Sequence, residues 1–157
     1  MKTTINIFSA FLAVILFVSI WSPDLSAQRK KNQQEINHDS IVIATYGKVV
    51  TGTEQAKKIQ EIAKVLNKAA GLSGSGIIKF KLIQNEEINA FAYINDSIYV
   101  HTGLFKSVGN SIDQLAFVLA HELAHVLMKH PAKGDEFLNK NPNATEEQWK
   151  KLSRDME

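Results

Sequence analysis

The chain contains no cysteine. Disulfides therefore add nothing to its stability, anchoring through an acylated cysteine is excluded, and any metal site must be built from His, Asp or Glu. Charge of one sign is also lacking. Lys and Arg number 18 against 16 Asp and Glu, for a formal net charge of +2, and the basic residues are spread along the chain. Nucleic acid is therefore not an expected partner. No internal repeat is visible. The one glycine-rich segment, Gly71-Leu72-Ser73-Gly74-Ser75-Gly76, precedes no Gly-Lys-Ser/Thr and opens no helix. It reads as a flexible helix-to-strand turn rather than a phosphate loop.

A length of 157 residues bounds the chain to one domain. Its first 27 residues have the pattern of an export signal: Lys2 as the positive start, an uncharged apolar run from Ile5 to Trp21, and small residues Ser26-Ala27 before Gln28. The alternative is an uncleaved anchor, with residues 5–21 associated with a membrane, although that run is at the short limit for a span. Either route leads out of the cytoplasm, to a periplasmic or extracellular location or a membrane-anchored one. Residues 28–40, which include Arg29, Lys30 and Lys31, read as a solvated linker, and residues 41–157 as the folded domain.

Within that domain, Ile41 to Val50 is rich in β-branched residues and predicts one or two short strands. Thr53 to Ala70 has a helical period, with Ile59, Ile62, Ala63, Leu66 and Ala70 on one face. Ile78, Phe80 and Leu82 alternate with lysines as in a half-buried strand. Ile88 to Ile94 and Ser97 to Thr102 predict two more strands joined at Asn95-Asp96. Ser111 and Gln114 fit a capping box that opens a long apolar helix, which Pro131 ends. Thr145 and Gln148 repeat the box before a stripe of Trp149, Leu152 and Met156. That last helix reaches Glu157 without a stop signal and reads as cut off. The predicted fold is α+β, a small mostly antiparallel sheet packed on a buried helix.

That helix contains His121-Glu122-Leu123-Ala124-His125. Each helical residue advances roughly 100°, so two His four positions apart lie about 40° apart around the axis. Both imidazoles can reach one zinc ion from the same face, and Glu122 can stand beside the ion as a general base. The pattern predicts a zinc hydrolase acting on peptide bonds, with Zn2+ as cofactor and polypeptide as substrate. The bland alternative is a helix that happens to carry these residues, and unpaired charge in a buried helix argues against it.

A catalytic zinc takes three protein ligands. The version of the motif that draws a third His from three residues beyond a Gly is excluded, because the Gly position is Met128 and the His position is Pro131. His130 projects about 180° from His121 on a continuing helix and reads as a helix-end cation or a support for a ligand. His101, on a strand, reads as half-exposed. Carboxylates on other segments remain: Glu157, with Glu136 in a loop and Glu147 in a first helical turn as rivals.

The motif sits in the stretch Leu119 through His130, and two further segments accompany it: Asn89-Ala90-Phe91-Ala92 and Ile98-Tyr99-Val100-His101-Thr102-Gly103-Leu104. With these, residues from about Asn89 to Glu157 resemble metallopeptidase family forty-eight, the HtpX, CAAX prenyl endopeptidase and periplasmic BepA-type gluzincins. The resemblance implies a zincin-like fold. It also implies a third ligand in a Glu that follows Ser-Arg and opens Glu-x-x-x-Asp, which matches Glu157 after Ser153-Arg154. The Asp of that pattern is missing here, and the interval from His125 is short for the family, so the domain reads as C-terminally incomplete. The resemblance further implies that a peptide substrate pairs with the strand edge at Asn89, Ala90, Phe91 and Ala92. By family analogy, the natural task would be quality control of envelope proteins. The alternative from another class is a non-catalytic zinc-containing module that binds proteins like a chaperone.

Overall fold

The computed structural model describes residues 25–109 and 111–156. The apolar run at residues 5–21 and the carboxylate Glu157 therefore lie outside the described residues. The chain forms two units, Met1–His38 and Asp39–Glu157, and the candidate site belongs to the second. None of the helices among the described residues is long and apolar enough to cross a membrane.

The first helix, α1, spans Leu25–Tyr46. It takes in residues read from sequence as linker and, at Ile41 to Tyr46, residues read as strand. Local β preference is weak and tertiary contact overrides it. Here Val42 is fully buried with Ile83 and Tyr99, while Ile41 and Ile43 stay exposed. Gly47 ends the segment at φ +124°, where an added Cβ would stand 2.3 Å from the Gln84 carbonyl oxygen. Only the pair Val49–Val50 forms a strand, β1.

Helix α2 (Glu54–Ala69) begins at Thr53, whose hydroxyl accepts from the Ala56 amide at 3.2 Å. Its buried positions include Ile59, Ile62 and Ala63, as the period predicts. The buried polar exception is Asn67. Its amide nitrogen donates to Ala63 O and Ile78 O, and its oxygen accepts from Ile78 N, all between 2.9 and 3.0 Å. That set ties the end of α2 to the lead-in of strand β2 (Lys79–Ile83). Strands β3 (Ala90–Tyr93) and β4 (Ser97–His101) follow, and Asp96 turns their hairpin at φ 54°.

The sheet has four strands in the order β1-β2-β4-β3. Its outer pairs are antiparallel, but the central pair, β2 with β4, is parallel. It is thus mixed: two of its three pairings are antiparallel, in line with the mostly antiparallel sheet expected, and the central one is parallel. The β3–β4 hairpin docks through β4, which leaves β3 at the edge.

Helix α3 (Leu104–Val108) is short and was not expected. Helix α4 (Ile112–Leu127) carries the His-Glu-x-x-His motif. Ser111 caps it by accepting from the Gln114 amide at 3.3 Å, and this is the half of the expected box that forms among the described residues. Sixteen residues give a rod of about 24 Å. Leu115, Leu119, Leu123 and Val126 are buried with Phe80, Leu82, Ile98 and Val100 of the sheet and with α2. The helix is not buried all round, however: Phe117 is 75% and Ile112 58% exposed. One stripe suffices to dock a helix on a sheet, and the outer apolar residues have no such partner layer among the described residues.

Pro131 does not merely end α4. Lys129 adopts the left-handed conformation at φ 58°, and a new helix, α5 (His130–Lys140), starts at once with Pro131 in its first turn. Helix α6 (Glu146–Arg154) opens with the complete Thr145–Gln148 capping box. Trp149 of α6 packs toward Gly134, where a Cβ would come within 3.2 Å of the indole.

Candidate active site

On α4 the two histidines of the motif converge. His121 Nε2 and His125 Nε2 are 3.0 Å apart, with ring planes at 82°. The His121 residue is exposed and His125 half-buried, so the pair opens to the outside. Two imidazole nitrogens facing each other at this distance share a proton or direct both lone pairs at a common cation.

Glu122 points to the sheet. Its carboxylate accepts from the Ala92 amide at 3.0 Å. The register explains why that amide is available. His101 N donates to Asn89 O, and β3 pairs with β4 antiparallel, with Phe91 opposite Tyr99 and Ala92 opposite Ile98. In an antiparallel ladder, alternate residues turn their N–H and C=O groups to the partner strand. Asn89 and Phe91 therefore bond inward to β4, while Ala90 and Ala92 turn their backbone to the open edge. The Phe91 side chain lies on the far face, stacked on Tyr99 at 5.4 Å. Burial raises the Glu122 pKa, outweighing the opposing effects of His125, His121 and the Ala92 amide. A carboxylate tuned upward is a stronger proton acceptor.

His130, read from sequence as a helix-end cation or a support for a ligand, makes a further contact here. His125 Nδ1 lies 2.8 Å from His130 Nδ1. A helix continued past Leu127 would have carried His130 to the opposite side. The left-handed Lys129 instead folds the chain back, so that His130 packs against His125 with ring centroids 5.0 Å apart. His130 is only 8% exposed. Burial, and then Lys133, lower its pKa.

The other sequence candidates lie elsewhere. His101 is fully buried rather than half-exposed. It shares a sheet face with Tyr99, near Tyr46 and Phe91, and strand alternation puts that face away from α4. Its ring nitrogens lack a hydrogen bond among the described residues, with Glu87 3.8 Å from Nδ1. Glu136 is not in a loop: it lies in α5 and pairs with Lys140 at 2.5 Å. Glu147 is exposed in the first turn of α6. Among the described residues, no third His, Cys, Asp or Glu joins His121 and His125.

The sheet edge thus touches the carboxylate of the His-Glu-x-x-His helix. Residues 53–145 match peptidase family M48, and the chain belongs to that family. The beta-barrel assembly-enhancing protease of Escherichia coli (strain K12) is 46% identical over 57 residues, covering 36% of this chain and 12% of that protein. The mitochondrial metalloendopeptidase OMA1 of Bos taurus is 42% identical over 52 residues, covering 33% of this chain and 10% of its own length. The metalloprotease YcaL of Escherichia coli (strain K12) is 30% identical over 98 residues, covering 59% of this chain and 38% of the relative. The matched stretches thus span well under half of each of these relatives.

Proposed function

We propose that this chain is a zinc-dependent metalloendopeptidase in which His121 and His125 bind the metal and Glu122 is the general base. The observation that carries the reading is the pair of Nε2 atoms 3.0 Å apart, with the Glu122 carboxylate on the sheet edge beside them. Tetrahedral coordination with Zn–N bonds near 2.05 Å separates two ligand nitrogens by about 3.3 Å, so the donor pair fits the ion. Glu157 is the third ligand in this reading, on the strength of the family resemblance. When bound, zinc supplies Lewis-acid chemistry that makes water nucleophilic near neutral pH and polarises a carbonyl. Glu122 accepts the water's proton and delivers it to the departing amine. The stretch Asn89 to Ala92 receives the substrate as an added strand, through the outward backbone groups of Ala90 and Ala92. The substrates are polypeptides, and the name shared by the assembly-enhancing relatives supports envelope proteins as their source. The export pattern at residues 1–27 supports a periplasmic or extracellular site of action, with anchoring through residues 5–21 as the variant.

The 157-residue chain is expected to cleave unfolded casein, to stop on addition of a chelator, and to recover with about one equivalent of zinc. Zinc-loaded chain that leaves casein intact would favour the non-catalytic binding module instead. Cleavage insensitive to the chelator would remove the metal from the mechanism.

A further inference from the structure

Three imidazoles form one chain of contacts: His121 Nε2 to His125 Nε2 at 3.0 Å, and His125 Nδ1 to His130 Nδ1 at 2.8 Å. His125 stands in the middle and uses both ring nitrogens. A neutral imidazole carries a single N–H, so where that proton sits decides which nitrogen has a lone pair to give. If it sits on Nε2, the nitrogen facing His121 is blocked. If it sits on Nδ1, it is donated to His130 and the Nε2 lone pair is released toward His121.

We propose that His130 is the positioning residue of the metal centre: its Nδ1 accepts the His125 Nδ1–H, which fixes His125 as the tautomer whose Nε2 is free to bind the ion. This rests on the metal-site reading above and deepens it.

Three features support the assignment. The contact joins Nδ1 to Nδ1, so it engages the nitrogen of His125 that points away from His121. His130 is 8% exposed, so water competes poorly for the bond. The backbone also departs from helix to make it, with a non-glycine residue, Lys129, held at φ 58° immediately before His130. The hydrogen-bond partner of a ligating His characteristically sets its tautomer and ring orientation.

The test uses the 157-residue chain. In the metal-free protein, nitrogen-detected NMR of the imidazoles is expected to show His125 protonated on Nδ1, and the His130→Leu variant is expected to lose that preference. Zinc titration of the same proteins should show affinity weakened by about 10- to 100-fold in His130→Leu. His130→Asn, whose side-chain oxygen can stand where Nδ1 stood, should recover most of the loss. A His125 that carries its proton on Nε2 in the wild-type protein overturns the proposal, as does a folded His130→Leu variant that binds zinc as tightly as the wild type. Should His130→Leu fail to fold, the wild-type tautomer alone decides. A wild-type chain that binds no zinc overturns the metal-site reading instead, a failure distinguishable from the wrong tautomer.

Discussion

Single residues on the two faces of the sheet do different kinds of work. On the face covered by residues 39–46, Asp39 accepts from Lys81 Nζ at 2.6 and 2.7 Å, from Asn95 at 3.2 Å and from the Tyr99 hydroxyl. Burial by itself would raise the Asp39 carboxyl, but these donors together outweigh it and hold the pKa below its ordinary value. A carboxylate depressed in the folded state adds stability above its unfolded pKa and loses it as pH falls through the folded one. Asp39→Ala is therefore expected to cost about 2 kcal/mol near pH 7. The difference from wild type should shrink as pH drops below about 4, read from urea midpoints across pH. A difference unchanged down to pH 2 would show that the carboxylate's charge is not what matters. On the other face, Glu122 is a half-buried carboxylate whose pKa is raised by burial, against the opposing pull of His125, His121 and the Ala92 amide at the sheet edge. From sequence, the His121–Glu122–His125 spacing was legible because helical geometry alone fixes it. The Ala92 and His130 contacts were not, since one depends on which strand is the edge and the other on a left-handed turn at a lysine.

At the scale of elements, the three capped helix starts were legible, as was the end of α2 before Gly71, whereas the starts of α1, α3 and α5 were not. Thr53, Ser111 and Thr145 each cap as their residue types indicate, through side-chain oxygens bonded to the third amide along. Caps are local chemistry and survive any tertiary setting. The β-branched run at Ile41 to Ile43 misled because its helical form is decided by one buried contact, Val42 against the sheet. Pro131 misled in the other direction: a proline that stops one helix is also well suited to the first turn of the next. Asn67 was hidden inside an apolar stripe, yet two of its three hydrogen bonds link helix α2 to Ile78 at the lead-in of strand β2. Asn67→Ala leaves the buried Ile78 amide and carbonyl without this partner and is expected to cost about 3 kcal/mol. The urea midpoint should fall with little change in slope. A loss below about 0.5 kcal/mol would mean that water or a shifted strand replaces the bonds.

The unit Asp39–Glu157 has an α+β fold, and the chain belongs to peptidase family M48. Its packing arranges the site in a simple way. Helices α2 and α4 share one face of a mixed sheet, and β3 closes that sheet at the edge nearest Glu122. Parallel pairing of β2 with β4 was not legible, because alternating strand patterns say nothing about which neighbour a strand chooses. That pairing leaves β3 outermost and so gives Glu122 a backbone amide to rest on. The claim on which everything else depends is that this carboxylate performs the proton transfer. The direct measurement is casein cleavage by wild-type chain and by Glu122→Gln at equal, verified zinc occupancy. The expected result is a fall of about 10²- to 10⁴-fold in cleavage rate with zinc content unchanged. Cleavage that persists in the Gln variant within tenfold of wild type would contradict the assignment.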